Sequence, residues 1–371
     1  MIKKLFFFFF LLHSFLLHAQ NIKTGKWGFE VNTTIGKIVK HSPKINYVPK
    51  SISQGLEVAF VYKTMGEKPW HNSLNYPEVG ASYQFIRFGE QAVFGDAHVL
   101  LGTAKFYLAR TKVVNFYARV GGGYAWLTKP FNALKNPDNN IIGSHLNIAA
   151  QLRIGAEWKI NEMILLNTAF SFTHFSNGSI KQPNYGINML AGTFGFKVFP
   201  QIKNYSYQCQ KNKPKKPNEV FIKYTLGLQE KYGSNGPLYP VHAGSVGYGY
   251  YTSYGNKVLS GITFEYFTSI ADFVRVQELS KRSPLYEATN TSFFIGDEIK
   301  LGKIGMYFIG GVYFQKKMMT PNIMYFRLGG NIYFAEMGKH KQYKIFGGSG
   351  MKAHLNIADY WEFNAGASAG F

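Results

Sequence analysis

Leu146-Asn147-Ile148-Ala149-Ala150-Gln151-Leu152-Arg153-Ile154-Gly155-Ala156-Glu157-Trp158 is the stretch on which the fold turns. Leu146, Ile148, Leu152, Ile154 and Trp158 alternate with Asn147, Gln151, Arg153, Gly155 and Glu157. A period of two belongs to an extended strand with one apolar and one polar face. Working outward, the same period recurs. Trp27, Phe29, Val31 and Ile35 stand against Gly28, Glu30, Asn32 and Thr34, and Leu56, Val58, Phe60 and Tyr62 against Glu57, Ala59 and Val61. Val79, Ala81, Tyr83 and Phe85 oppose Gly80, Ser82 and Gln84. A long run covers 93–108, and Phe116, Ala118, Val120, Tyr124 and Trp126 face away from Asn115, Arg119, Gly121 and Gly123. Strands over 163–176 and 187–199 complete an even set of eight within residues 20–200.

Alternation by itself fits a soluble sandwich as well as a membrane barrel. The start of the chain tips the choice. Lys3 and Lys4 precede an apolar run from Leu5 through five phenylalanines to Leu17, and Ala19 offers a small residue for cleavage. That pattern predicts a signal peptide over 1–19, because two histidines and a serine interrupt the run too often for a retained membrane helix. Hydrophobic residues make up 46% and aromatics 17% of the 371 residues, with 39 glycines, yet no later stretch reads as a spanning helix. A transmembrane antiparallel β-barrel in the outer membrane accounts for both, since only alternate residues face lipid and aromatic girdles enrich Tyr and Phe. With the amino terminus in the periplasm, the long connections 37–53 and 128–144 fall outside and the short turns 109–112 and 159–162 inside. The long connection 65–76 runs against that rule. A formal charge of +21 behind a signal peptide points to an anionic lipid surface such as lipopolysaccharide rather than to nucleic acid. The single cysteine, Cys209, excludes an intramolecular disulfide framework and a Cys-rich zinc site.

Residues 201–218 read as a linker, with Lys211, Lys213, Pro214, Lys215, Lys216 and Pro217 close together. Residues 219–371 then echo the first half. Asn115-Phe-Tyr-Ala-Arg119-Val-Gly-Gly returns as Ile323-Met-Tyr-Phe-Arg327-Leu-Gly-Gly, Phe94-Gly95-Asp96 as Ile295-Gly296-Asp297, and Leu166-Asn167 as Phe363-Asn364. On that register Phe371 falls where His174 stands in the first copy. The expectation is a degenerate barrel-like repeat of about seven strands. Whether it closes separately or joins a wider barrel stays open.

Phe170-Ser171-Phe172-Thr173-His174-Phe175-Ser176-Asn177 places His174 and Ser176 on the face of Ile164, Leu166, Phe170 and Phe172, which is the lipid face. Polar groups there are costly and call for an explanation. Cβ atoms two residues apart on a strand lie about 7 Å apart, within reach for an imidazole to deprotonate a hydroxyl. The plainer reading is a rim histidine hydrogen-bonded at headgroup level. No second His, Cys or carboxylate stands at ligand spacing from His174, and His71, His98, His145, His242 and His354 are scattered, so neither a metal nor another cofactor is expected. Glu30, Glu57, Lys105, Arg119, Arg153, Glu157 and Asn167 fall on the polar faces. They read as a paired network filling a narrow lumen rather than the lining of a pore.

His174-Phe-Ser176-Asn177-Gly178-Ser-Ile-Lys181-Gln182-Pro183-Asn184-Tyr-Gly186-Ile187-Asn188 resembles the signature of the lipid A 3-O-deacylase family of outer-membrane enzymes. The resemblance spans about the first 200 residues. It implies an eight-stranded barrel that removes an ester-linked acyl chain from lipid A, with His174 as general base and Ser176 as nucleophile. Asn177, Gly178 and Asn184 would support the oxyanion or order the motif. The departure is Asn188, where the family has a glutamate that orients the histidine; an amide fills that role in part, as a Cys-His-Asn hydrolase shows. Two further readings stand beside this one: a barrel that binds or anchors lipid without catalysis, and a wider transport barrel built from both halves.

Overall fold

The computed structural model describes residues 21–47, 49–207, 214, 216–279, 283–315, 322–354 and 357–371. The expected leader over 1–19 and Cys209 lie outside these residues. A short strand, β1 (Asn21–Thr24), precedes eight long ones: β2 (Trp27–Ile38), β3 (Ser53–Lys63), β4 (Glu78–Arg87), β5 (Asp96–Arg110), β6 (Val114–Leu127), β7 (Leu146–Lys159), β8 (Ile164–Ser176) and β9 (Ile187–Val198). Each pairs antiparallel with the next, and β9 returns to β2 from Phe29↔Val198 to Ile38↔Met189, which closes a barrel. The run expected from 93 begins as β5 at Asp96, because Gln91–Phe94 form a single helical turn. β10 (Lys203–Ser206) lies inside the expected linker and pairs with β1.

The period of two sorts the side chains. Phe29, Leu56, Ile154, Phe170 and Leu190 are exposed on the outer wall, while Glu30, Glu57, Glu157 and Asn167 are buried in the lumen. Burying an unpaired charge costs several kcal/mol, so a filled lumen must balance its ions. It does: Glu30, Glu57, Glu78 and Glu157 meet Lys105, Arg119, Arg153 and Lys197, all buried. Lys105 Nζ lies 2.6 Å from Glu157 and 3.1 Å from Glu30, Lys197 Nζ 2.8 Å from Glu78, and Arg153 Nη1 2.7 Å from Glu57. Arg119 also pairs with Glu57. Glu30, Glu78 and Glu157 come close enough together to hold a cation, and the Lys105 and Lys197 ammonium groups supply that charge.

The second half forms β11 (Asn218–Glu230), β12 (Leu238–Ser253), β13 (Asn256–Phe267), β14 (Thr289–Leu301), β15 (Ile304–Gln315), β16 (Met324–Met337), β17 (Tyr343–His354) and β18 (Ile357–Gly370). β18 pairs back onto β11, from Glu219↔Gly370 to Leu228↔Trp361, and closes a second barrel. Eight strands stand where about seven were expected, because two of the three echoes, those at Arg327 and Asn364, are displaced by one strand, while Asp96 and Asp297 both lie on the fourth strand of their barrels. Arg119 sits on β6, the fifth strand of its barrel, whereas Arg327 sits on β16, the sixth of its own. Asn167 on β8 and Asn364 on β18 show the same offset. Arg327 repeats the part of Arg119, donating to Glu362 at 2.7 Å and Glu265 at 2.5 Å inside the lumen. Separate closure overturns the reading of one wide barrel.

The two barrels stand side by side and point the same way. At the end where β2 and β11 begin, Leu74 packs on Gly255 and Trp70 on Gly302. At the opposite end, Ser179 Oγ donates to Ala358 O at 2.6 Å and Glu230 N to Ser179 O at 2.7 Å.

Candidate active site

β8 and β9 put His174 and Asn188 directly opposite each other on the outer wall. Cross-strand partners hold their Cβ atoms about 5 Å apart, so two polar side chains there meet without strain. His174 Nδ1 lies 2.5 Å from Asn188 Oδ1. An amide oxygen only accepts, so this contact sets the proton on Nδ1 and leaves Nε2 as the basic nitrogen. Asn188 shares its face with Leu190, Phe194 and Phe196, all exposed, so the pair lies on the outer wall of the barrel.

Ser176 ends β8, but it is covered rather than open to lipid: 2% of its surface is exposed. The segment 177–186 folds back over it. Asn184 Nδ2 donates to Ser176 Oγ at 3.0 Å, and the Gly178 amide donates to the same oxygen at 3.2 Å. Asn184 Oδ1 also accepts the Asn177 amide at 3.2 Å. The Asn177 side-chain amide is committed to Ser144 Oγ at 2.8 Å and Lys181 O at 2.7 Å, so Asn177 orders the segment. Gly178 and Gly186 adopt φ of +61° and +79°, which a side chain resists. Gly186 also has no room for one, since a Cβ would stand 2.6 Å from His174 Cε1.

The structure therefore brings His174, Ser176, Asn184 and Asn188 to one cavity of about 340 Å³, within the range of small-ligand pockets. No hydrogen bond joins His174 to Ser176; the hydroxyl is engaged by Asn184 and Gly178 instead. The sequence reading missed His41, which also lines the cavity and whose Nε2 lies 2.8 Å from Tyr185 O. His41 belongs to the connection after β2, where no periodicity marks a residue. It also missed Met351, Ala353 and Ala358, which line the cavity from the second barrel. A second cavity of about 550 Å³ adjoins the segment and is lined by Lys129, Lys135, His145 and Lys181, with no carboxylate among its described lining residues.

Comparison with known proteins follows the division into barrels. Residues 54–197 match the family model described as lipid A 3-O-deacylase (PagL), and residues 218–369 match that described as acyloxyacyl hydrolase, C-terminal domain. Among solved structures, the outer membrane enzyme PagL is similar at 16% identity and a TM-score of 0.33, covering 46% of this chain and 98% of that one. Neisserial surface protein A is similar at 11% identity and a TM-score of 0.31, covering 49% and 99%. No curated protein matches the chain.

Proposed function

Since residues 54–197 match the lipid A 3-O-deacylase family model and residues 218–369 the acyloxyacyl hydrolase C-terminal model, we propose that the chain hydrolyses an acyl ester of lipid A at the outer wall of its first barrel. The observation that carries this reading is the hydrogen bond from His174 Nδ1 to Asn188, which leaves a basic Nε2 beside a cavity that Ser176 also lines. Ester chains of lipid A lie in the outer leaflet, against the barrel wall, so a lipid-facing site meets them without a pore.

In the proposed reaction Ser176 Oγ leaves Asn184, gives its proton to His174 Nε2 and bonds to the ester carbonyl carbon. Hydrogen bonds of this kind often tighten only once substrate is bound. Negative charge gathers on the carbonyl oxygen, and the Gly178 amide, aimed at Ser176, is placed to receive it. Collapse breaks the bond to the sugar oxygen, which takes the proton back from His174. Water gives a proton to His174 and bonds to the acyl-serine carbonyl carbon; collapse breaks the bond to Ser176 Oγ, which takes that proton from His174, and the fatty acid leaves. The lysine-lined cavity beside the segment suits the anionic headgroup.

A second reading is favoured by the engagement of Ser176 by Asn184 and by the neutral Asn188: a barrel that holds lipid A without cutting it. Mass spectrometry of lipid A from cells producing the wild type, Ser176→Ala or His174→Ala separates the two. Loss of one acyl chain with the wild type alone is the expected outcome, each variant slowing release by about 10³-fold or more while keeping heat-modifiable migration. Unaltered lipid A with the wild type would leave the binding reading in place.

A further inference from the structure

Trp361 of β18 points outward from the second barrel, on the face of Phe363, yet only 4% of it is exposed while Phe363 is 45% exposed. The first barrel covers it. Tyr124 stacks on its ring at 5.8 Å, and the backbone at Gly178 approaches so closely that a Cβ there would stand 2.7 Å from the Trp361 nitrogen. Ser179 and Gln182 reach further contacts, Ser179 Oγ donating to Ala358 O at 2.6 Å and the Gln182 amide to Glu230. The segment that folds over Ser176 is thus clamped against the second barrel.

Beside that clamp the two walls part. Met351 and Ala353 face outward from β17, since Lys352 and His354 point into the lumen, and Ala353 pairs with Ala358 across the hairpin. These three residues close the side of the cavity that His174 and Ser176 open. Two alanines and a methionine make an apolar wall with little bulk, as a slot for a hydrocarbon chain requires. A polar headgroup would find no partner on it.

We propose that the acyl chain of the scissile ester lies between the two barrels, with Met351, Ala353 and Ala358 as the wall that sets the chain length accepted. This deepens the proposed function and rests on it. The second barrel is then a specificity element, although none of its residues belongs to the catalytic dyad.

Two measurements on the full chain test it. In the first, release of short and long ester-linked chains from lipid A in detergent is compared for the wild type, Met351→Ala, Ala353→Trp and Ala358→Trp. One methylene in an apolar pocket discriminates by about tenfold or more. Met351→Ala should move the long-to-short ratio upward and the tryptophan variants downward, by about tenfold. Heat-modifiable migration checks folding, and Met351→Ala guards against a tryptophan that will not fit. The second measurement needs no turnover: Ser176→Ala protein in vesicles is irradiated with lipid A carrying a photoreactive group along its ester acyl chain. Adducts on the peptide spanning β17 and β18 as well as on β8 are expected. An unchanged length profile, or adducts confined to the first barrel, overturns the proposal. If the wild type releases no fatty acid at all, the hydrolase reading falls and the adducts alone decide the wall.

Discussion

Asn188 Oδ1 faces His174 Nδ1 without contributing charge, and in the proposed reaction its effect on rate follows from what happens to the imidazole. As Ser176 loses its proton, the ring becomes a cation; a carboxylate opposite Nδ1 would stabilise that cation, whereas an amide oxygen contributes only its dipole. Asn188→Glu is therefore expected to raise the deacylation rate by about 10² and Asn188→Ala to lower it. The position lies near the rim, where a charge on the lipid face of a barrel costs only about 0 to 1 kcal/mol, so the glutamate variant should still fold. A side-by-side assay of the three proteins on purified lipid A in detergent checks this. A glutamate variant slower than wild type would mean that the site has been rebuilt around the amide. The pairing was legible through the family resemblance, since alternation puts His174 and Asn188 on one face but does not set the register across the segment 177–186. What alternation could not reveal is that Ser176 is covered, since the covering comes from 177–186, a segment without period.

At the scale of the element, the segment 177–186 covers the site, and its backbone includes two glycines in the left-handed region. Gly186 is the more exacting, because its absent side chain leaves room for the His174 ring. Gly186→Ala should push the imidazole aside and strain a backbone at φ +79°. A misplacement of about 1 Å can cost about 10² in rate, and the strain about 1 to 3 kcal/mol. The expected result is a fall of that order in fatty acid release with a modest fall in the temperature at which heat-modifiable migration is lost. Normal release from a well-folded Gly186→Ala protein would show that the ring has space to spare. This segment was readable because it lies within a contiguous fifteen-residue motif, 174–188. The lumen was readable for most of its ions, but Glu78 and Lys197 escaped, although at the ends of β4 and β9 both keep the inward parity of their strands.

The whole molecule is two closed barrels joined laterally, and that lateral contact is the part least visible in the sequence. Outward residues of a barrel read alike whether they meet lipid or a neighbour, so nothing in the pattern of Trp361 marks it as covered. The displaced echo hid the eighth strand of the second barrel for a related reason: repeats report ancestry, while closure depends on which edges pair. Separate closure has a consequence for truncation. The first barrel holds its own register from β2 to β9 and its own balanced set of four carboxylates and four cations, so it contains every hydrogen-bonded edge and buried charge partner it needs. A chain ending at Asn218 is therefore expected to insert and to show heat-modifiable migration. It loses the Ala358 and Glu230 contacts that clamp the segment over Ser176, together with the wall formed by Met351, Ala353 and Ala358. Release of fatty acid should consequently fall by about 10² and discriminate less between short and long chains, because positioning rather than the catalytic groups has been removed. Gel migration and a length profile on the truncated chain check both halves of the expectation. A truncated chain that is degraded or fails to insert would show that the lateral contact is part of the folding unit, and one that keeps the wild-type rate and length profile would show that the first barrel binds its substrate unaided.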